Sequence, residues 1–266
     1  MQYFNIKVLF MYLRKLYVKL FFMKLPVISK LKKLLIGSFF PFVRRSYSQS
    51  GEDIIISDLF HRLQISNPTY LDIGANEPVS LNNTYRLYTR GSKGVCVEPN
   101  LVMYKRLLQK RPKDTIINAG VAFNEKWEAD FYIFPARVHG LNTFSKEEAE
   151  FWEHTGNEEI GRHKPEQVIR MKLIEINEII EKYFTGHPNL VSIDVEGLDL
   201  KIAKMINFEK YKPEVFCLET LGFVEGNKEI RKTDIVDFFT EKGYFVYADT
   251  YINTIFCRRD AYQNLA

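Results

Sequence analysis

Three short runs in this sequence place acids, a glycine and an amide where an apolar stretch stops: Asp72-Ile-Gly74-Ala-Asn76, Val97-Glu98-Pro99-Asn100 and Ser192-Ile-Asp194-Val-Glu196-Gly197-Leu-Asp199. In an open α/β sheet, ligands bind just beyond the carboxyl ends of the strands, so residues at such ends are the first candidates for chemistry. The first run has one glycine and lacks the GxGxxG fingerprint of a pyrophosphate site, which disfavours a dinucleotide. It suits a ligand with a cationic centre and an amino-acid tail. Asp72 would face an ammonium or sulfonium, Gly74 would let the backbone come close, and Asn76 would hold a carboxylate or hydroxyl. Glu98 is placed like the acid that clasps a ribose diol in nucleotide-binding folds. Further on, Asn118 or Gly120 would border an adenine. S-adenosylmethionine carries all of these groups. Taken singly, Asp72 and Asn76 also read as turn caps and Glu98 as a solvated strand end. At the ends of consecutive strands, the set reads as one cofactor cradle.

The third run supplies the other half of a reaction. Alternation on a strand would put Asp194 and Glu196 on one side, with Gly197 turning the chain and Asp199 capping the next helix. Glu219 ends the following apolar run. Methyl transfer to oxygen needs a hydroxyl held in line with an already activated donor and a group to take its proton. Asp194 is the first choice for that base, with Glu196 and Glu219 orienting the acceptor; His139 and His163 are rival bases. Such an acid cluster would also accept magnesium or manganese, although nothing in the spacing demands a metal. Gln49 and Glu52, in Ser48-Gln-Ser-Gly-Glu-Asp53, read equally as cofactor contacts or as the start of a helix.

The elements that must position these residues alternate. Strand patterns fall at Tyr70 to Ile73, Gly94 to Val97, Thr115 to Ala119, Leu190 to Val195 and Glu214 to Glu219. Helical patterns fall near Leu81 to Tyr88, Leu101 to Lys110, Ile176 to Phe184, Asp199 to Ile206 and Lys228 to Lys242. This is an α/β chain with a mostly parallel, doubly wound sheet. Two last strand-like runs around the turn Tyr251-Ile-Asn253 make a terminal hairpin, so one strand runs antiparallel to the rest. Ala129 to Pro135 and Val168 to Ile174 are extra strands. The long polar stretch between them, which contains His139 and His163, is taken as the substrate side of the site.

In order along the chain, "DIGAN", "VEPN", "INAGVA", "SIDVEGLDLKIAK" and "EVFCLET" resemble the FkbM family of S-adenosylmethionine-dependent methyltransferases, over about Ser46 to Asp260. "YSQSGEDIIISDLF" and "HGLNTFSKEEAE" are similar to a bacterial branch associated with polysaccharide or lipopolysaccharide biosynthesis. The resemblance implies the seven-stranded class I methyltransferase sheet with its C-terminal antiparallel hairpin, and O-methyl transfer. One departure is Glu77-Pro78 after "DIGAN", where the family more often has an apolar residue and a glycine. A carboxylate there would lie beside the methionine tail and weaken cofactor affinity, which keeps a non-catalytic S-adenosylmethionine-binding protein as an alternative.

Charge is unevenly spread. Residues 1 to 51 hold ten Lys or Arg and no acid, and the remainder holds 27 basic against 33 acidic side chains. Residues 1 to 46 therefore read as a basic, apolar, amphipathic helical arm on a methyltransferase domain of residues 47 to 266. Its longest uncharged run, Leu34 to Val43, is too short to span a bilayer, which takes ~20 residues. The arm reads equally as an anchor on an anionic membrane surface and as a helical pair packed on the body. A glycan or glycolipid precursor is the expected substrate, at the cytoplasmic face of a membrane. A nucleic-acid methyltransferase using the arm is the alternative, and the acidic body speaks against it. Cys96, Cys217 and Cys257 have no paired spacing and read as buried free thiols.

Overall fold

The structure is a computed structural model, and it describes residues 43–224 and 228–263. The chain divides into two units, Met1–Arg45 and Ser46–Ala266. The amphipathic arm lies outside the described residues, and every element below belongs to the second unit.

In chain order these elements are α1 (Glu52–Arg62), β1 (Tyr70–Ile73), α2 (Tyr85–Thr89), β2 (Gly94–Val97), α3 (Leu101–Lys110), β3 (Thr115–Ile117), β4 (Gly120–Val121) and β5 (Glu128–Ile133). A 3-10 turn (Ala136–Leu141), α4 (Lys146–His154), β6 (Gln167–Ile174), α5 (Ile176–Tyr183), β7 (Leu190–Ile193) and α6 (Asp199–Lys204) follow. The chain continues through β8 (Val215–Glu219), β9 (Leu221–Val224), β10 (Lys228–Arg231), α7 (Thr233–Glu241), β11 (Tyr244–Asp249), β12 (Asn253–Arg258) and α8 (Arg259–Gln263).

Seven strands form the main sheet in the order β11-β12-β8-β7-β1-β2-β3. Neighbours pair in parallel except around β12, which is antiparallel to both β8 and β11. The order reverses at β1, with β2 on one side and β7 on the other, and a crevice opens there beyond the strand ends.

Strand alternation gives the sheet two buried faces. Leu71, Ile73, Val95, Val97, Val191, Ile193, Phe216 and Leu218 pack against Ile176, Ile179 and Ile180 of α5, Ile202 of α6 and Phe239 of α7. Tyr70, Cys96, Leu190, Val215, Cys217 and Cys257 pack on the opposite face against Ile56, Leu59 and Phe60 of α1, Leu87 of α2 and Leu107 of α3. The three cysteines are free and buried together in that second layer. A smaller sheet, β4-β6-β5, carries the long polar segment, and β9 and β10 form a separate hairpin.

Two expected helices change, and one helix appears where none was expected. The helix near Leu81 to Tyr88 shrinks to Tyr85–Thr89, because Leu81 adopts a left-handed φ of 51° and the chain before it turns irregularly. The segment Lys228 to Lys242 is not one helix: its first four residues pair with β9, and the helix starts at Thr233. Inside the polar segment, Lys146–His154 is a helix, its start fixed by Ser145 Oγ accepting from the Glu148 amide. Among the described residues, no helix is long and apolar enough to cross a membrane.

Candidate functional site

The crevice at the sheet's reversal point is a cleft of about 630 Å³, counted out to its open mouth. Gly74, Asn76, Glu98 and Gly120 line it, together with Val97, Val121, Phe123 and Phe144. Gly74 can be nothing larger. It has φ +77°, and a Cβ there would meet the Asp194 carbonyl oxygen at 1.9 Å. The turns after β1 and β7 therefore run against each other, joined by the Asp194 amide donating to the Ile73 carbonyl at 3.0 Å. Glu98 is buried, and its two oxygens accept from the amides of Asn76 and Asn100, each at 2.7 Å. Burial pushes this carboxyl up to about 7, against the pull of those amides. Hydroxyl donors from a ribose would favour its ionised form further.

Asp194, Glu196, His139 and Asn142 line the same cleft. The strand ends at Ile193, so Asp194 and Glu196 share the cleft through a turn and not through strand alternation. Glu196 has a left-handed φ of 53°, a strained conformation for a side chain of its size, held by Thr143 Oγ1 donating to its carbonyl at 2.8 Å. That bond ties the polar segment to the turn. Asp194 is exposed to the cleft, with protein packed behind it. Desolvation and then repulsion from Asp199 push it up to about 7. Glu196 is raised well above the carboxylate range by burial and by Glu219 and Asp194.

Asp199 does not cap α6, since Leu198 holds that position. It is the first helical residue, with its carboxylate accepting from the Val195 amide at 3.3 Å and its second oxygen buried without a partner.

Several expected site residues lie elsewhere. Asp72 does not line the cleft. Period-two alternation turns it with Tyr70 toward the other face, where it accepts from Thr84 Oγ1 at 2.6 Å and pairs with Arg111 Nη1 at 3.6 Å. It acts on the cleft indirectly. Arg111 donates to Asn82 Oδ1 at 3.2 Å, and Asn82 Nδ2 donates to the carbonyls of Ala75 and Glu77 at 3.1 and 3.2 Å, which braces the loop holding Asn76. Asn118 is exposed and donates to the carbonyls of Glu98 and Pro99, both at 2.9 Å, so it braces Glu98 and leaves Gly120 to the cleft.

Gln49 is exposed and off the cleft wall. Its neighbour Glu52 is buried against Thr250 and Asn253, at 2.6 and 3.1 Å, which locks α1 to the terminal hairpin. His163 contacts the Ile160 carbonyl at 2.9 Å, away from the cleft. Glu219 is near the cleft but not on its wall, paired with Lys232 Nζ at 3.3 Å. Burial and its neighbours push its carboxyl up to about 8, against the opposing pull of Lys232.

Glu77 does not stand as a bare carboxylate beside the cofactor tail. Arg106 pairs with it, and His139 Nε2 lies 3.4 Å from its Oε1. Among the described residues, no group of three or more His, Cys, Asp or Glu is arranged to hold a metal ion. Lys232, Asn142 and Phe144 were not singled out from sequence. Asn142 and Phe144 at least fall in the polar segment expected to face the substrate, whereas Lys232 was masked by its helical reading.

A doubly wound seven-stranded sheet of this order, with an antiparallel last strand and a glycine-and-acid cleft at its reversal point, is the class I methyltransferase fold. The profile of the methyltransferase FkbM domain matches residues 72–246, and the chain belongs to the FkbM methyltransferase family, whose methyl donor is S-adenosylmethionine. The residues present fit that donor: a bare-backbone approach at Gly74, a buried acid at Glu98 and apolar walls for a base.

Similar solved structures include a provisionally assigned RNA methyltransferase from Pyrococcus horikoshii, 11% identical, covering 80% of this chain and 87% of its own at a TM-score of 0.39. Another is the 1,6-didemethyltoxoflavin N1-methyltransferase of Burkholderia thailandensis with bound S-adenosylhomocysteine, 7% identical, covering 79% and 77% at 0.39. A third is a TehB-like methyltransferase from Corynebacterium glutamicum, 10% identical, covering 88% and 100% at 0.37. A search of curated proteins gave no match.

Proposed function

We propose that this protein methylates a hydroxyl of a glycan or glycolipid precursor, with Asp194 as the proton acceptor. The observation that carries the reading is the shared cleft: Asp194 and Glu196 open into the same space as Gly74 and Glu98. A carboxyl poised near 7 is close to the best compromise between being ionised and being basic enough to take a proton at neutral pH. Asp194 accepts the hydroxyl proton as the oxygen bonds to the methyl carbon. Glu196, Asn142 and His139 offer the remaining hydrogen-bond sites that a polyol needs. S-adenosylmethionine supplies the activated methyl group, whose bonding pair stays with sulfur as a neutral thioether. The acid-free residues 1–51, with their ten Lys and Arg, support an anionic membrane surface as the workplace, where lipid-linked precursors are found.

The test is incubation with radiolabelled methyl donor and fractionated cell-envelope material. Label should appear in glycan or glycolipid. Asp194→Asn should cut turnover by about 10²–10⁴-fold while calorimetry shows donor affinity unchanged. Label confined to RNA would sink the acceptor class, and full turnover in Asp194→Asn would sink the base.

A further inference from the structure

Lys232 enters the site from an unexpected direction. It follows β10, and its amide donates to the Thr220 carbonyl at 2.9 Å, which brings the hairpin's exit back over the end of β8. Its side chain then crosses the bare backbone of Gly222: a Cβ there would meet Lys232 Cε at 3.0 Å and Cγ at 3.7 Å. Beyond this notch the ammonium pairs with Glu219 Oε2 at 3.3 Å.

The hairpin is held in place from outside. Arg231 pairs with Asp249 at the end of β11, and Glu229 with the Tyr251 hydroxyl in the turn that leads to β12. The stem is thus guided, not merely solvated, to a place ringed by acids from several elements. These are Glu219 at the end of β8, Asp194 and Glu196 in the turn after β7, Asp199 on α6 and Glu148 on α4, while Asp72 of β1 and Glu52 of α1, on the other face of the sheet, add weaker repulsion on Asp194.

We infer that Lys232 is a positioning residue of the acceptor side: guided through the notch at Gly222, its ammonium anchors Glu219 and keeps the neighbouring carboxylates, Asp194 among them, available as proton acceptors. Without it, these crowded like charges would relieve themselves by taking up protons, and a protonated Asp194 cannot accept one from a hydroxyl. Burial works against the charge on Lys232 itself, but Asp199 and Glu219 outweigh it and raise its pKa, so the ammonium persists throughout the neutral range. On Asp194, Lys232 offsets part of the rise that desolvation and the acidic neighbours impose.

The consequence for catalysis rests on Asp194 being the base, but the electrostatic role does not, so the test needs no acceptor. It is a carboxyl-¹³C NMR titration of the full-length chain, with the Asp194 and Glu219 signals identified in Asp194→Asn and Glu219→Gln. In Lys232→Met both midpoints should move up by about one pH unit, because the attractive charge is gone. In Lys232→Arg, which keeps the charge, they should stay near those of the unaltered protein. Gly222→Ala pushes only the flexible end of the lysine stem and should move them the same way as Lys232→Met, by less.

Unmoved midpoints in Lys232→Met, or an equal shift in Lys232→Arg, would overturn the inference. Should Lys232→Met fail to fold, Lys232→Gln, which keeps a polar stem without the charge, decides: midpoints identical to those of the unaltered protein would overturn it. A positive titration alongside a failed envelope assay would leave the role of Lys232 standing and remove only the acceptor.

Discussion

At Gly74 the backbone of β1 turns with φ +77° directly under the carbonyl of Asp194, so one missing methyl group lets the cofactor loop and the acceptor turn share a cleft. Gly74→Ala meets two penalties. The left-handed conformation costs a side chain about 1–3 kcal/mol, and the clash is with backbone, which has no rotamer by which to escape. The expected outcome is a lowered urea midpoint and loss of measurable donor binding by calorimetry, with near-native helical content in far-UV circular dichroism. Near-normal donor affinity in that variant would show that the two turns can part without consequence.

Gly74 was legible by type and place, as were Glu98 and Asp194. Asp72 was not. A strand-end acid before a glycine looks the same whichever face it takes, and its partner Arg111 lies far along the chain at the end of a helix. Glu219 and Lys232 were hidden for a related reason: their pairing depends on a hairpin return that a helical reading of 228–242 erased.

At the scale of elements, α3 delivers Arg111 to the layer between sheet and helices. Its buried guanidinium serves Asp72, Asn82, Thr84 and Asp114 together, and the cofactor loop hangs from this node. Asp114 in turn accepts from the Tyr70 hydroxyl at 2.8 Å and the Gly94 amide at 3.0 Å, so β1 and β2 meet the same hub. Arg111→Met would leave Asp72 and Asp114 facing each other in a desolvated layer without their cation. Breaking a buried pair in this way costs about 3–5 kcal/mol.

Urea unfolding should show that loss, and a double variant with Asp72→Asn should recover part of it; additive effects would mean that the two do not act as a pair. The strand and helix rhythm was readable because both sheet faces are buried and the apolar runs are continuous. The irregular piece 77–84 was not, since the side-chain bonds of Asn82 and the left-handed Leu81 shape it more than periodicity does.

For the molecule as a whole, a site poised for proton transfer has a thermodynamic signature that needs no substrate. Glu98, Asp194 and Glu219 titrate at about 7, about 7 and about 8 in the folded protein, whereas unfolded Asp and Glu titrate near ~4. Between those limits the folded state binds more protons than the unfolded one. Their contribution is therefore fully present below about pH 4 and is lost as the pH rises through about 7 to 8. Glu52, Glu214 and Asp260 run the other way. Burial opposes them, but Thr250 on Glu52, His187 on Glu214 and Arg258 on Asp260 hold their carboxyls below the usual range, so their contribution fades as the medium becomes acidic.

The unliganded protein should accordingly be most stable in mildly acidic solution and weaken from about pH 5.5 to 8.5. Urea denaturation across that range measures the slope, and Asp194→Asn combined with Glu219→Gln should make it shallower, because two of the raised carboxyls that set it are then gone. A flat profile in the unaltered protein would mean that the cleft carboxylates titrate like surface groups. The chemical poise assigned to Asp194 would then have no physical basis, whatever the acceptor proves to be.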